Sequence, residues 1–455
     1  MDAKFNLTQG PILKKLVTMA MPIMATSFFQ MAFNLADMFW LGRLGSDAVA
    51  AAGTAGLFFW LSMALIFIGR MGAQIGVSQN MGKGDPKAAK GFAQNSFAVS
   101  LVLGVAFTTV ILIFPNQLLG FFDLEADVAL QARQYLVTTA FALPFIFAHQ
   151  VISGAFIGFG NTKIPFYINS LGLAVNIAIT PLFIFTFDMG IVGAGIATVI
   201  ASALNLTLKV YAMKWYKKRP FPDYRILAKP DGASVRQIFK WGAPIGIESA
   251  LFTMLFMIVT RLVSDFGTGA LAAQRVGSQV ESLAWMMAGG FSSAITAFMG
   301  QNFGAKKYGR MRKAYKLSLM VMGSYGAFIG IVLFVFAAPL VGIFLEDPDY
   351  IVFGVEYLRV FAFTQLLFCM EEVAAGSFRG RGLTYKPTVV SITCNILRVA
   401  MAYIMVFVFD FGLIGIWIGI AISVTIRSSW MIIWYKINQA KSLPKHDEDT
   451  ALTPQ

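Results

Sequence analysis

Ionisable side chains inside long apolar runs are the residues through which this chain could do chemistry. Each costs roughly 2.5–3.5 kcal/mol to place in hydrocarbon on insertion scales, so each needs a reason to be there. They are Asp37, Arg70, His149, Glu248, Arg261, Arg275, Glu281, Arg359, Glu371, Glu372, Arg398 and Arg427. Asp37 stands apart, because Gln30, Phe33, Asn34 and Asp37 share one helical face at the i, i+3, i+4, i+7 spacing. A polar stripe on a membrane helix has to look at protein or at a water-filled cavity. A carboxyl group in poorly hydrated surroundings can take up and release a proton nearer neutrality than one in water. The alternatives are a cap on the helix end or a local pair with Arg43. Pro22 interrupts the same run, as a fixed kink or as a moving hinge.

The other candidates have plainer readings beside the functional ones. Glu281, Glu371, Glu372 and Arg398 make either a buried ion-pair network or a second cation or substrate site. His149, next to Gln150, is a hydrogen-bonded interior group or a proton relay. Arg70, Arg261, Arg275 and Arg427 lie near the ends of apolar runs and are expected to snorkel. Phe33, Phe58, Phe59, Phe141, Phe145 and Phe147 either line an adaptable cavity suited to flat lipophilic cations or simply pack and face lipid. Two histidines, His149 and His446, and two cysteines, Cys369 and Cys394, do not form a metal-binding pattern or a disulfide framework. No nucleophile and base fall on matching faces, so an enzyme is not expected.

These residues need elements to hold them, and the composition says which. Of 455 residues 57% are hydrophobic and 13% charged, and mean hydropathy is +0.69; soluble domains carry about 25% charged residues. Twelve apolar runs are long enough to span a bilayer: 12–41, 49–79, 91–115, 131–158, 164–187 and 190–213, then 238–263, 270–300, 313–343, 353–378, 387–409 and 413–435. The loops alternate in charge. Lys83, Lys87 and Lys90 are followed by Asp123, Glu125 and Asp127, and Arg310, Arg312 and Lys313 by Glu346, Asp347 and Asp349. By the positive-inside rule both termini are cytoplasmic. The net charge of +13 is therefore a topology signal and no nucleic-acid partner is expected. The first run is too long for a signal-peptide core, so no secretory signal is expected.

The halves repeat at a constant shift of 222 residues. Pro22 matches Pro244, Gln79-Asn80 matches Gln301-Asn302 and Tyr135 matches Tyr357; Gly154, Gly158, Gly160, Thr162 and Pro165 match Gly376, Gly380, Gly382, Thr384 and Pro387. Each copy holds six spans, so both enter the membrane in the same orientation. The expected fold is an all-α polytopic membrane protein. Its twelve transmembrane helices form two six-helix bundles related by a pseudo-two-fold along the membrane normal. The expected division is an N-terminal lobe at 1–213, a basic cytoplasmic linker at 214–237, a C-terminal lobe at 238–437 and a polar tail at 438–455. Two such bundles leave a cleft that rocking opens to alternate sides, which is transporter architecture.

On these residues the chain resembles the multidrug and toxic compound extrusion family, within it the DNA-damage-inducible F branch. The segment Asn34-Leu35-Ala36-Asp37 with Leu41-Gly42, the paired Gln79-Asn80 and Gln301-Asn302, and the block Gly154-Ala155-Phe156-Ile157-Gly158-Phe159-Gly160 carry the resemblance over nearly the whole length. It implies a V-shaped pair of lobes that expels organic cations or other amphiphiles across the cell (inner or plasma) membrane in exchange for protons, the alternatives being sodium coupling within the same family or a flippase of lipid-linked precursors of the wider superfamily. It implies no cofactor and a monomer. Carried over by position, Asp37 is the coupling acid, Asn176 and Thr198 its companions at a proton or sodium site, and Pro22 the residue about which the first helix bends. Gln30, Phe33, Asn34, Phe59, Phe147 and Gln150 would line the substrate cavity. Some relatives have a second carboxylate where this chain has Thr180. Its absence weakens a sodium site, since hard cations prefer charged oxygens, and favours proton coupling. Phe252 likewise stands where another branch has an acid.

Overall fold

The computed structural model describes residues 5–122, 124–216, 219–226 and 229–444, with the side chains of 34 and 35 left out. Among the described residues the chain is helical throughout. The helices are α1 (Ile12–Gly42), α2 (Ser46–Lys83), α3 (Pro86–Ile113), α4 (Pro115–Leu119), α5 (Ala126–Ala140), α6 (Leu143–Phe159), α7 (Lys163–Pro181) and α8 (Gly190–Trp215). They continue as α9 (Gly232–Ser264), α10 (Thr268–Gly304), α11 (Tyr308–Val335), α12 (Ala337–Gly342), α13 (Pro348–Ala362), α14 (Gln365–Gly380), α15 (Tyr385–Phe407) and α16 (Gly412–Ser442). Ten spans are single helices; two more are bent pairs, α5–α6 at 46° and α13–α14 at 50°, giving the twelve expected from hydropathy. Outward side chains such as Trp60, Val102, Phe328, Ile331 and Phe407 are large, apolar and exposed, a surface that acyl chains solvate and water does not.

The chain divides into two compact units. One comprises Met1–Asn6 and Met21–Gly246, the other Leu7–Ala20 and Ile247–Gln455. The division falls inside α1, just before Pro22, and inside α9, just after Pro244, and not in the basic segment between α8 and α9.

The repeat is written into the backbone as well as the sequence. Gly45 and Gly267, Gly160 and Gly382, Asp188 and Asp410, and Gly190 and Gly412 all have positive φ, each pair 222 residues apart. Lys306 takes the left-handed conformation (φ 56°) that Gly84 takes in the first copy (φ 77°), so the turn is kept even where the residue that favours it is not. Helix contacts recur too. A Cβ on Gly154 would lie 2.5 Å from the Arg70 carbonyl oxygen, and one on Gly376 would lie 2.6 Å from that of Ser292, the residue matching Arg70. Only a glycine lets the bent span lie this close to its neighbour.

The bends free backbone groups that a bilayer cannot solvate, and side chains satisfy them. Thr108 on α3 donates to the Ala140 carbonyl at 3.0 Å, and Thr364 donates to the Phe361 carbonyl at 2.8 Å. Pro144 accompanies the first bend, but Leu366 stands at the matching place in the second, so the bend belongs to the fold and not to the proline.

Candidate functional site

Asp37 lies one turn before the end of α1, half-buried in the first unit. The Tyr135 hydroxyl on α5 is a polar neighbour of its carboxyl, and among the described residues its Oδ1 is buried with no hydrogen-bond partner. Arg43 does not pair with it; that guanidinium stacks over Phe39 at 5.2 Å. Helix α1 runs alongside α7 in the same direction, Phe29 meeting Phe166 at 5.9 Å and Trp40 meeting Phe185 at 6.3 Å. That register sets Asp37 at the height of the Asn176–Thr180 stretch.

Helices α7 and α8 present polar stripes to each other. On α7 they are Asn169, Asn176 and Thr180; on α8 they are Thr198, Ser202, Asn205 and Lys209, at i, i+4, i+7 and i+11. Lys209 Nζ donates to Asn169 Oδ1 at 2.7 Å, and Asn205 fills the space in front of Gly172, whose Cβ would meet it at 2.2 Å. Continued along two antiparallel helices, this register brings Ser202 level with Asn176 and Thr198 level with Thr180. The Thr180 hydroxyl lies 2.8 Å from the Asn176 carbonyl and 3.1 Å from its Oδ1, and Thr198 donates to its own helix at the Ala194 carbonyl, 3.1 Å away. Just past Pro181 the chain widens into a single π turn, Phe187 N donating to Leu182 O at 2.9 Å, so the seam ends where the helix has lost a backbone donor.

The remaining expected cavity residues do not behave alike. Gln30 is exposed, and Phe33 and Gln150 are half-buried. The side chain of Asn34 lies outside the described residues. Phe59 is half-buried against the first unit's apolar cluster. Phe147 is fully buried in that cluster, its ring against Gly104, so it packs and offers no surface to a ligand.

The second unit answers each polar position differently. Asn176, Thr180 and Thr198 correspond there to Arg398, Ala402 and Ile420, and Asp37 to Val259, which is buried in an apolar cluster. Arg398 lies over Phe252 at 5.3 Å. Glu281 accepts from Tyr357 at 3.0 Å, Gln365 at 3.0 Å and Trp285 at 3.2 Å. Arg427 does not snorkel, as its place in the run suggested. It is buried, with Nε 2.8 Å from Glu371 Oε1, and Ser428 supplies a further hydrogen bond to Glu371 at 2.6 Å. Glu372 pairs with Arg379 at 3.7 Å. Among the described residues two of the acids are therefore ion-paired, Glu371 with Arg427 and Glu372 with Arg379, while Glu281 is held by neutral donors and Arg398 is in neither pair. Arg261 does reach outward, 4.0 Å from Asp265. Among the described residues no group of three metal-ligating side chains converges.

Sequence reasoning passed over two residues. Tyr135 was legible as a repeat match but not as the partner of the acid, since nothing in the spacing joins α1 to α5. Lys209 lies inside the run at 190–213 but is missing from the ionisable residues named from the sequence. The helix continues to Trp215, and the stripe Ser202, Asn205, Lys209 was the available signal that its side chain turns inward.

Twelve apolar spans in two copies of one fold, with polar stripes facing each other inside one bundle, are the architecture of a multi-pass membrane transporter. The model of the family described as MatE matches residues 22–182 and 244–404, two stretches at the same 222-residue shift. The chain belongs to this family of multidrug efflux transporters. It is 28% identical to "Probable multidrug resistance protein NorM" of Thermotoga maritima, over 93% of this chain and 92% of that one. It is 26% identical to "Probable multidrug resistance protein YpnP" of Bacillus subtilis, over 96% and 98%. Among solved structures, a MATE in the bent conformation has a TM-score of 0.91 with 22% identity, all of both chains being covered. A MOP superfamily transporter from Pyrococcus furiosus, described as having a binding pocket of reverse polarity, has a TM-score of 0.88 at 22% identity, over 97% and 98% of the two chains.

Proposed function

We propose that the protein exports lipophilic organic cations or related amphiphiles in exchange for protons by alternating access, with Asp37 as the group for which proton and cargo compete. The observation that carries this is the carboxyl's isolation. Its polar neighbour is the neutral Tyr135, and among the described residues its Oδ1 has no hydrogen-bond partner and no basic side chain pairs with the charged form. A proton neutralises it and a cation balances it, and either state is tolerable in a bundle only while the counter-charge is present. The relatives' names, multidrug resistance proteins, support the cargo class.

The companions Asn176, Thr180 and Thr198 bring neutral oxygens only. Sodium at Asp37, Asn176 and Thr198 is the competing reading, and a single carboxylate serves a hard cation less well than a proton. Pro22 lacks an N–H, and Thr26 bonds its carbonyl at 2.8 Å, so α1 is weakest at the place where a bend following Asp37 protonation is proposed. The alternation of basic loops supports a topology with both termini in the cytoplasm, and with it a location in the cell membrane.

The test uses purified protein in vesicles with an ethidium-like dye, an imposed pH gradient and, separately, an imposed sodium gradient. The pH gradient alone is expected to drive dye transport, and Asp37→Asn to abolish it with folded protein still in the membrane. Dye transport by that variant at the unsubstituted rate, or a drive by sodium alone, overturns the reading.

A further inference from the structure

The first unit buries two basic side chains against each other with no acid between them. Lys209 is fully buried. Its Nζ lies 3.0 Å from His149 Nδ1, 2.7 Å from Asn169 Oδ1 and 3.4 Å from the His149 carbonyl oxygen. Among the described residues the one further charged group acting on the pair is Arg70 of α2, which is itself basic and has a buried Nε without a partner. The other helices against α8, namely α5, α6 and α7, bring it no charge apart from His149 itself.

The matching positions of the second unit show what a purely structural solution looks like here. His149 corresponds to Glu371, and Asn205, one turn before Lys209, corresponds to Arg427. The second unit thus joins the same two spans with a carboxylate and a guanidinium 2.8 Å apart, a closed pair with its charges balanced. The first unit joins them with two nitrogen bases. Two such nitrogens 3.0 Å apart leave room for one proton between them.

Either placement of that proton keeps the contact between the two side chains bonded. With the pair protonated, the Lys209 ammonium donates to His149 Nδ1, Asn169 Oδ1 and the His149 carbonyl, three donors for three acceptors. With one proton removed, the amine accepts from His149 Nδ1–H and still donates to Asn169, the histidine having changed tautomer and given up the proton on Nε2. The pair moves between net charge +1 and 0 with Lys209 Nζ and His149 Nδ1 bonded to each other in both states.

We propose that Lys209 and His149 together form a second proton-carrying station in the first unit. It lies at the far end of the α7–α8 seam from the Asn176–Thr180 stretch beside which Asp37 sits. Eleven residues of helix, about 16 Å, separate Lys209 from Thr198, with Asn205 and Ser202 between them. The Asn205 Oδ1, buried and without a partner, faces into this seam. The station rests on the proton-coupled reading of the transporter. It adds that a proton is held at the end of the unit where α7 begins and α8 ends, with Asn169 fixing the lysine in place.

Two histidines make a direct test practicable. His446→Gln leaves His149 as the sole histidine, and nitrogen-15 labelled histidine then reports its protonation and tautomer by NMR in nanodiscs, independently of transport. The expected result is an Nδ1 signal that passes between unprotonated and protonated forms with pH and shifts in Lys209→Met. A signal fixed in one form across the stability range overturns the station, whatever drives transport. In vesicles, His149→Glu sets a carboxylate against Lys209, a closed pair of the kind the second unit has. It is expected to keep dye exchange at equal pH while losing pH-driven uptake. If the unsubstituted protein is proton-driven and this variant matches it, the station falls and the Asp37 reading stands. If the unsubstituted protein is not proton-driven, both fall.

Discussion

Tyr135 and Tyr357 occupy the same place on the first arm of a bent span, 222 residues apart, and each has its hydroxyl beside a carboxyl group reaching it from a different helix. Tyr135 meets Asp37 of α1, and Tyr357 meets Glu281 of α10 at 3.0 Å. The acids are not repeat mates, for Asp37 corresponds to Val259 and Glu281 to Phe59. The tyrosine is scaffold, and each unit has placed an acid against it separately. Glu281 has two further donors and Asp37 has none shown, which divides a held carboxyl from an available one.

Tyr135→Phe is therefore expected to move the pH profile of dye transport while leaving the amount of folded protein unchanged, since a single hydrogen bond contributes about 0.5–1.5 kcal/mol. Tyr357→Phe is expected to lower the melting temperature slightly and leave the profile in place, because Gln365 and Trp285 still hold Glu281. Profiles that move equally in both variants would contradict this division.

Gly154 and Gly376 make the same close approach in the two units, so they give matched substitutions. Gly154→Ala and Gly376→Ala each set a methyl group about 2.5 Å from a carbonyl oxygen, and overpacking of this kind costs about 1–3 kcal/mol. Similar drops in melting temperature in detergent are expected from the two. An alanine tolerated in one and not in the other would show that the copies do not share this contact.

The shared scaffold was what the sequence made legible. Hydropathy set the spans, and the 222-residue register extends to backbone features as local as the positive φ at Asp188 and Asp410. The site was legible only in part. Asp37 declares itself because a carboxylate in an apolar run has no cheap explanation, and the stripe on α8 was open to the same reasoning. Tyr135 was not, because partnership between α1 and α5 is decided by packing across the bundle, which no spacing along one helix encodes. Phe147 was misplaced for the same reason: an aromatic ring reads alike whether it lines a chamber or fills a core.

Glu371 and Arg427 should show the cost of breaking a buried pair. Glu371→Gln leaves the Arg427 guanidinium buried without its counter-charge, and loss of one partner of such a pair typically costs about 3–5 kcal/mol. A large loss of thermal stability is expected, partly recovered in the double variant with Arg427→Gln. A double variant no more stable than Glu371→Gln would argue that the pair contributes through packing alone.

Asp231 gives a prediction with a definite sign in pH. It stands just ahead of α9, outside the membrane spans. Its carboxylate accepts from the Ser234 hydroxyl at 2.7 Å, the Ser234 amide at 3.0 Å and the Ala233 amide at 3.4 Å. Its own amide donates to Asn95 of α3 at 2.7 Å, fixing where α9 begins. The Ser234 hydroxyl, then its amide, favour the charged form and hold this carboxyl below its ordinary value. A group lowered by folding stabilises the folded form above its unfolded value, about 3.9, and loses that contribution as pH falls through the lowered one. Asp231→Ala should accordingly reduce hydrogen-exchange protection in the first turn of α9 at neutral pH, with Asp231→Asn restoring only the part that does not need the charge. The difference between the alanine variant and the unsubstituted protein should narrow to that part as pH falls below about 3.9. A difference that stays constant across that range would mean that Asp231 caps the helix without its charge.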